Sequence, residues 1–293
     1  YNGEDKLQGM SEMLQKMGIK VNAYLPAADL QTIQKAPRAA LNIVRRKKWA
    51  LAMEQRFGTP FLHVADMQEW HGIEGISDLY RQIGKMLGCE NAVERVLQEE
   101  YERVAARYQE LRAEFAKYKF CLIAHGIAYL PDALRVYQQD YGLPIEKICI
   151  IMNPSYQAET GLDDAMMQRF KDRIELAKAE YGCEAQVLLE PSEDALREAA
   201  QSCDFVICNG HPRYASLNVP VLYNLFDRSV WNYQGFVDIM EEVWQMLQQP
   251  QRTGSSLLLS KLAYDPVFYP MREADKDSKA SRELYSRIWR QRK

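Results

Sequence analysis

The chain has 293 residues, 47% of them hydrophobic, and a formal net charge of -3. That length suits two ordinary domains, and that apolar share can fill two cores. The slight acidity offers no general basic field for nucleic acid or an anionic membrane, and no apolar run nears the roughly 20 residues of a membrane span, so a soluble, cytoplasmic protein is expected.

Leu7, Met10, Leu14 and Met17 keep helical spacing and Gly18 supplies a stop. A strand is expected over 19–25, a short helix from about Asp29, a strand over 39–44, a helix over 47–57 and a strand over 61–65 that Pro60 introduces. Gly72 and Gly75 read as the flanks of a turn, and a helix closes at Met86-Leu87. Tyr1-Asn2-Gly3 reads as a loop leaving a strand, so upstream sequence is expected. Val93, Val96, Leu97, Tyr101, Val104 and Tyr108 form one stripe of a long helix over 92–117. Beyond it come strands over 120–124, 147–152, 185–189, 204–208 and 219–223, and helices over 130–141, 162–181, 192–201 and 235–247, with Gly142 and Gly182 as C-caps.

Such alternation implies parallel sheets with right-handed crossovers. The expected architecture is α/β: two Rossmann-like parallel-sheet units, residues 1–90 and 119–249, joined by a long helix within 91–118. The first unit is expected to lack its first strand. A polar tail over 250–293, with eight basic and four acidic residues from Met271 onward, is either a solvated helix or a dock for a partner subunit.

The chain also repeats itself at an offset of 160 residues. Pro60 aligns with Pro220, Leu62 with Leu222, Gly75 with Gly235, Asp78 with Asp238 and Met86-Leu87 with Met246-Leu247, six identities in 28 ungapped positions. They fall at a strand-opening proline, a glycine and a helix end, so the two units look related.

In open parallel sheets ligands sit beyond the carboxyl ends of the strands. Arg45-Arg46-Lys47-Lys48 stand at such an end, at the start of a helix whose macrodipole disfavours cations. A bound anion and a solvated loop each account for them. The other candidates are His63, His71 and His125, then Asn153, Asn209 with His211 and Arg213, and Asp227 with Arg228. His125, Asn153 and His211 follow three strands of one sheet and can line one cleft; each histidine alone reads equally as a hydrogen-bonded structural residue. The histidine spacings match no metal site. Six cysteines without a CxxC pair fit a reducing compartment as buried thiols, and Cys203 and Cys208, five apart, are expected on opposite faces of a strand. GxSxG, GxxxxGK[ST] and GxGxxG are all absent, which removes the hydrolase elbow, the P-loop and the dinucleotide fingerprint.

One family joins several of these segments. Tyr1-Asn2 before a helix, residues 14–21 (LQKMGIKV), Ala36-Pro37-Arg38-Ala39 with Leu41-Asn42-Ile43-Val44, and Phe57-Gly58-Thr59-Pro60 resemble the nitrogenase component 1 family. So do the helix ending at Tyr118, residues 204–208, Asn218-Val219-Pro220, Phe226-Asp227-Arg228 and Tyr233-Gln234-Gly235-Phe236. The resemblance covers the chain to about Pro250 and implies the last two of that family's three Rossmann-like units. It implies an oxidoreductase subunit that pairs with a homologous subunit and takes electrons from an ATP-dependent iron–sulfur reductase.

Two departures accompany it. Arg45-Arg46 stand where cofactor-bearing subunits place a cluster-ligating cysteine, and Trp231 is the nearest equivalent of their cluster-ligating histidine. The resemblance therefore implies a beta-type chain without metal ligands of its own; any iron–sulfur cluster of the full-length protein would use residues outside it. The alternative is a non-catalytic metallocluster-assembly scaffold or an anionic-ligand-binding protein on the same fold. A glycosyltransferase-like enzyme shares the twin architecture, but no residue pattern requires its nucleotide-sugar pocket.

Overall fold

The computed structural model describes residues 8–24, 29–64, 69–125, 130–151, 164–208, 214, 217, 219–223 and 230–248. The first unit opens with α1 (Gln8–Lys16), whose Met10, Met13 and Leu14 are buried. Gly18 stops it at φ +79°. The expected strand over 19–25 does not form in its described part, residues 19–24. Ile19 N–H instead donates to the Leu14 carbonyl, and Ile19 and Val21 satisfy their apolar character by leaning on the core.

Asp29 caps α2 (Leu30–Lys35) by accepting from Thr32 N–H. A 3₁₀ turn at Ala36–Arg38, with Pro37 in its first positions, takes up the approach to β1, so the strand is confined to Asn42–Val44. Then come α3 (Lys47–Phe57), β2 (Phe61–His63), α4 (Gly72–Leu87) and α5 (Glu90–Phe115). Gly72 and Gly75, expected to flank a turn, open a helix instead. β1 and β2 pair in parallel with Val44 opposite His63.

The second unit comprises β3 (Phe120–His125), α6 (Leu130–Leu134) running into a π-helical turn at Arg135–Asp140, β4 (Ile145–Ile151) and α7 (Asp164–Glu180). It continues through β5 (Gln186–Leu189), α8 (Glu193–Gln201), β6 (Phe205–Cys208), β7 (Val221–Tyr223) and α9 (Tyr233–Gln248). The sheet is parallel throughout, in the order β5-β4-β3-β6-β7.

Strand alternation divides this sheet between two cores. Phe120, Leu122, Ile148, Phe205 and Ile207 face the larger core, which continues through α4, α5 and α9 back to α1. Cys121, Ile123, Cys149, Val206 and Cys208 face a smaller core closed by Leu196, Ala199 and Ala200 of α8. Cys203 joins Cys208 in that smaller core, contrary to the opposite-face expectation, because it lies in the turn after α8 and outside β6. Cys121, Cys149, Cys183, Cys203 and Cys208 are buried.

The 160-residue echo joins equivalent parts: β2 matches β7, and α4 matches α9, each helix 16 residues long. The two helices also touch. Tyr80 OH on α4 donates to the Trp231 carbonyl just before α9 at 2.6 Å, and Ser77 Oγ meets Tyr233 OH at 2.7 Å. α5 lies against both, its Val93, Leu97, Val104, Leu111 and Phe115 buried. Arg107 of α5 pairs with Glu241 of α9, and Lys16 of α1 reaches Glu100 of α5 at 2.8 Å.

At the start of α4, Gly72 adopts φ +85°, and a Cβ there would stand 2.0 Å from Asp140 Oδ2. Both the backbone and the space demand glycine. Gly72→Ala should lower unfolding free energy by about 2 kcal/mol or more. Urea denaturation of the two proteins measures it.

Candidate functional site

The strand ends define two places. In the second unit the chain builds outward from β3 through β4 and β5, then returns to place β6 and β7 on the other side. The reversal makes a topological switch point between the carboxyl ends of β3 and β6, where open α/β sheets form their binding crevice. His125 ends β3, opposite Ile151 of β4, and Cys208 ends β6, opposite Ile123 of β3 and Tyr223 of β7. His125 therefore stands at the β3 side of that switch point. Asn153, Asn209, His211, Arg213, Asp227 and Arg228 lie outside the described residues.

In the first unit, Val64 N–H donates to the Val44 carbonyl and so brings the end of β2 beside the end of β1. Arg45 and Arg46 follow β1 directly, and half-buried His63 stands across from Val44. Arg46 takes the N-cap position of α3 with no side-chain cap, and the first turn holds no acidic residue. Residues 45–48 are all exposed. Four cations thus crowd the positive end of a helix dipole without an acid to offset them.

His71 and Trp231 lie elsewhere. They occupy equivalent places in the two units, each just before its echoed helix, and both are buried, at 1% and 5% exposure. The His71 ring stacks on Tyr141, with centroids 5.9 Å apart, and stands edge-on to Phe236 at 5.6 Å. Its Nε2 shares a 3.0 Å hydrogen bond with Tyr141 OH. The Trp231 carbonyl is occupied by Tyr80. Neither residue joins Arg45 and Arg46 on the surface.

Around His71 sits a polar cluster that the sequence did not single out. Asp140 Oδ1 accepts from Ile73 N–H at 3.1 Å and Glu74 N–H at 3.4 Å, capping α4 from another unit. Its Oδ2 accepts from Arg135 Nη1 at 2.9 Å, and Arg135 Nη2 donates to the carbonyls of Glu69 and His71, each at 3.1 Å. Tyr108 OH donates to the Asp140 carbonyl at 2.8 Å. Burial pushes the Asp140 carboxyl up to about 7, against the pull of Arg135. Burial, aided by the Arg135 charge, pushes His71 down to about 3. The only sequence signal was polar Arg135 and Asp140 inside an expected helix over 130–141; their partner is 60 to 70 residues away along the chain, beyond any local pattern.

These surroundings test whether a metallocluster fits. A guanidinium and an indole N–H are donors without a lone pair for a metal, so Arg45 and Trp231 cannot replace a thiolate and an imidazole. Among the described residues no group of three or more His, Cys, Asp or Glu side chains could hold a metal ion. Residues 45, 46 and 231 do not fit a cluster bound at those two places. No described helix is long and apolar enough to cross a membrane.

The family model described as nitrogenase component 1 type oxidoreductase matches residues 1–248. Among solved structures, a nitrogenase Cp1 at pH 5 aligns with a TM-score of 0.58 and 16% identity, covering 85% of this chain and 55% of its own. The same nitrogenase at pH 6.5 gives 0.56 and 16%, covering 85% and 57%. The chain thus spans little more than half the length of these structures, and at that identity the likeness is one of fold. No curated protein sequence matches.

The buried histidine yields a pH signature. Native His71 binds no proton until about pH 3, whereas the unfolded imidazole binds one near its ordinary 6.5, so acidification through that window favours unfolding. His71→Phe removes this liability. Its stability deficit relative to the native sequence should shrink as pH falls from 6.5 toward 4, by up to ~1.4 kcal/mol per pH unit. Denaturant melts across that range check the slope.

Proposed function

The chain belongs to the nitrogenase component 1 type oxidoreductase family, and from that premise we propose that it forms the last two units of a beta-type subunit in a nitrogenase-like electron-accepting component. In this reading it pairs with a homologous, cofactor-bearing subunit in a cytoplasmic hetero-oligomer and receives electrons from an ATP-dependent iron–sulfur reductase. What supports it is a pair of placements: an exposed guanidinium pair follows β1 and a core indole precedes α9, at the positions the resemblance sets against metal ligands. Such a chain supports a partner's chemistry through the scaffold and holds no cofactor at those positions. Iron–sulfur ligands, where the full-length protein has them, lie outside this chain. The switch point between β3 and β6 is, in this reading, the place for a substrate or for the partner's contacts.

Anaerobic co-purification of the full-length protein with its homologous subunit tests this. A brown complex, bleached or shifted in absorption when the partner reductase and ATP are added, is the expected result. A colourless protein that binds no homologous subunit would remove the reading.

One observation favours a second reading, a non-catalytic metallocluster-assembly scaffold or anionic-ligand-binding protein: Arg45 and Arg46 make no ion pair among the described residues and adjoin an uncapped helix start. Under it, phosphate or citrate should raise the melting temperature of the native protein and leave an Arg45→Ala, Arg46→Ala variant unchanged. Differential scanning fluorimetry reads the outcome.

A further inference from the structure

Residues 29–58 differ electrostatically from the rest of the molecule. They carry seven cationic and two acidic side chains, a net +5 in a chain whose total is -3, so the remainder is at -8. The seven are the four cations of residues 45–48 together with Lys35, Arg38 and Arg56, all exposed. None of them enters an ion pair among the described residues, whereas cations elsewhere, such as Arg81, Arg95, Arg107 and Arg135, do.

Among the described residues the same stretch carries most of the exposed large apolar side chains: Leu30 at 71%, Ile33 at 40%, Trp49 at 67%, Leu51 at 44% and Phe57 at 48% exposure. α2 buries no residue and α3 buries only Ala50. The sheet against which α3 lies has two short parallel strands, with Leu62 as its one buried residue. Parallel strands are normally covered on both faces, and two alone are marginal. An under-covered sheet, wet aromatics and unpaired cations coincide in one stretch of thirty residues.

We infer that this face docks a compact acidic polypeptide that presents an apolar ridge between its carboxylates. Charge complementarity sets the sign: the stretch offers exposed Lys48 next to Trp49 in the chain and Arg56 5.5 Å over the Phe57 ring, a combination suited to Glu and Asp flanking Leu or Phe. The rest of the chain argues for a compact partner over a long polyanion. A nucleic acid or a bilayer must also contend with the net -8 of the rest of the chain, whereas a short acidic helix or loop need touch only the stretch itself. The inference does not rest on the oxidoreductase reading.

The test uses the full chain and a fluorescent synthetic helix ~20 residues long, with Leu at i, i+3, i+4 and i+7 and Glu elsewhere, followed by anisotropy at low salt. Saturable binding is expected, with the affinity falling roughly tenfold or more when residues 45–48 are all changed to Ala, and again roughly tenfold in a Trp49→Ala, Phe57→Ala variant. The apolar variant also separates docking from simple anion binding, because stabilisation by inorganic phosphate should survive it. A version of the peptide with Lys in place of Glu should not bind. Hydrogen exchange on the native protein, which needs no variant to fold, should show peptide-induced protection within residues 29–58. Absence of binding, equal binding of the Lys peptide, protection confined to other segments, or tighter binding of phosphatidylglycerol vesicles or a single-stranded oligonucleotide would each overturn the inference.

Discussion

The Arg135–Asp140 pair at the start of α4 is the contact on which the arrangement of the molecule depends. A helix start leaves its first N–H groups without partners, and here a carboxylate from the π-helical turn after α6 supplies acceptors for two of them. Arg135 then holds that carboxylate and two carbonyls of the segment leading into α4. Both groups are nearly withdrawn from water, so loss of Arg135 would leave the Asp140 carboxyl to take up a proton, and loss of Asp140 would leave a buried guanidinium without its acid. The glycine at position 72 is the steric counterpart, since any Cβ would occupy the carboxylate's place. The contact thereby ties the start of α4 to the turn after α6.

The family's scaffold and the family's metal chemistry separate in this chain. The scaffold persists: a doubly wound sheet with its switch point between β3 and β6, and a paired β-α echo at 160 residues. Arg45-Arg46 and Trp231, the residues that the resemblance sets against the family's metal ligands, carry no donor for a metal. One position holds cations on the surface and the other a tryptophan inside the core, and these differ in consequence. A surface cation run can be repurposed for anions or acidic partners without disturbing the fold, whereas Trp231 is bound into the α4–α9 contact through its backbone and its neighbours.

Much of the fold was legible in the sequence because its signals are local. Helical stripes such as Val93, Val96 and Leu97, the caps at Asp29 and Ser192, and the stops at Gly18, Gly142 and Gly182 act within a few residues of themselves. The segment at 19–24 failed because an apolar alternation serves a strand or a coil lying on a core equally well, and only the Leu14 carbonyl decides between them. Cys203 failed for a related reason: the face rule holds inside a strand, and the strand begins two residues later. The site was harder. Exposure of Arg45 and Arg46 follows from charge alone, but the fate of His71 depends on Tyr141, Phe236 and Arg135, which are brought to it by tertiary packing.

The contact between the echoed helices has an evolutionary corollary. α4 and α9 are each 16 residues long, and Tyr80 and Ser77 of the first meet residues at the start of the second. Recombination that exchanged a single α/β half for a homologue's would orphan a buried hydroxyl and wet the apolar stripe of the helix left behind. Substitution on either side of that contact is therefore tied to its counterpart, whereas α2 and α3 together bury only Ala50 among the described residues.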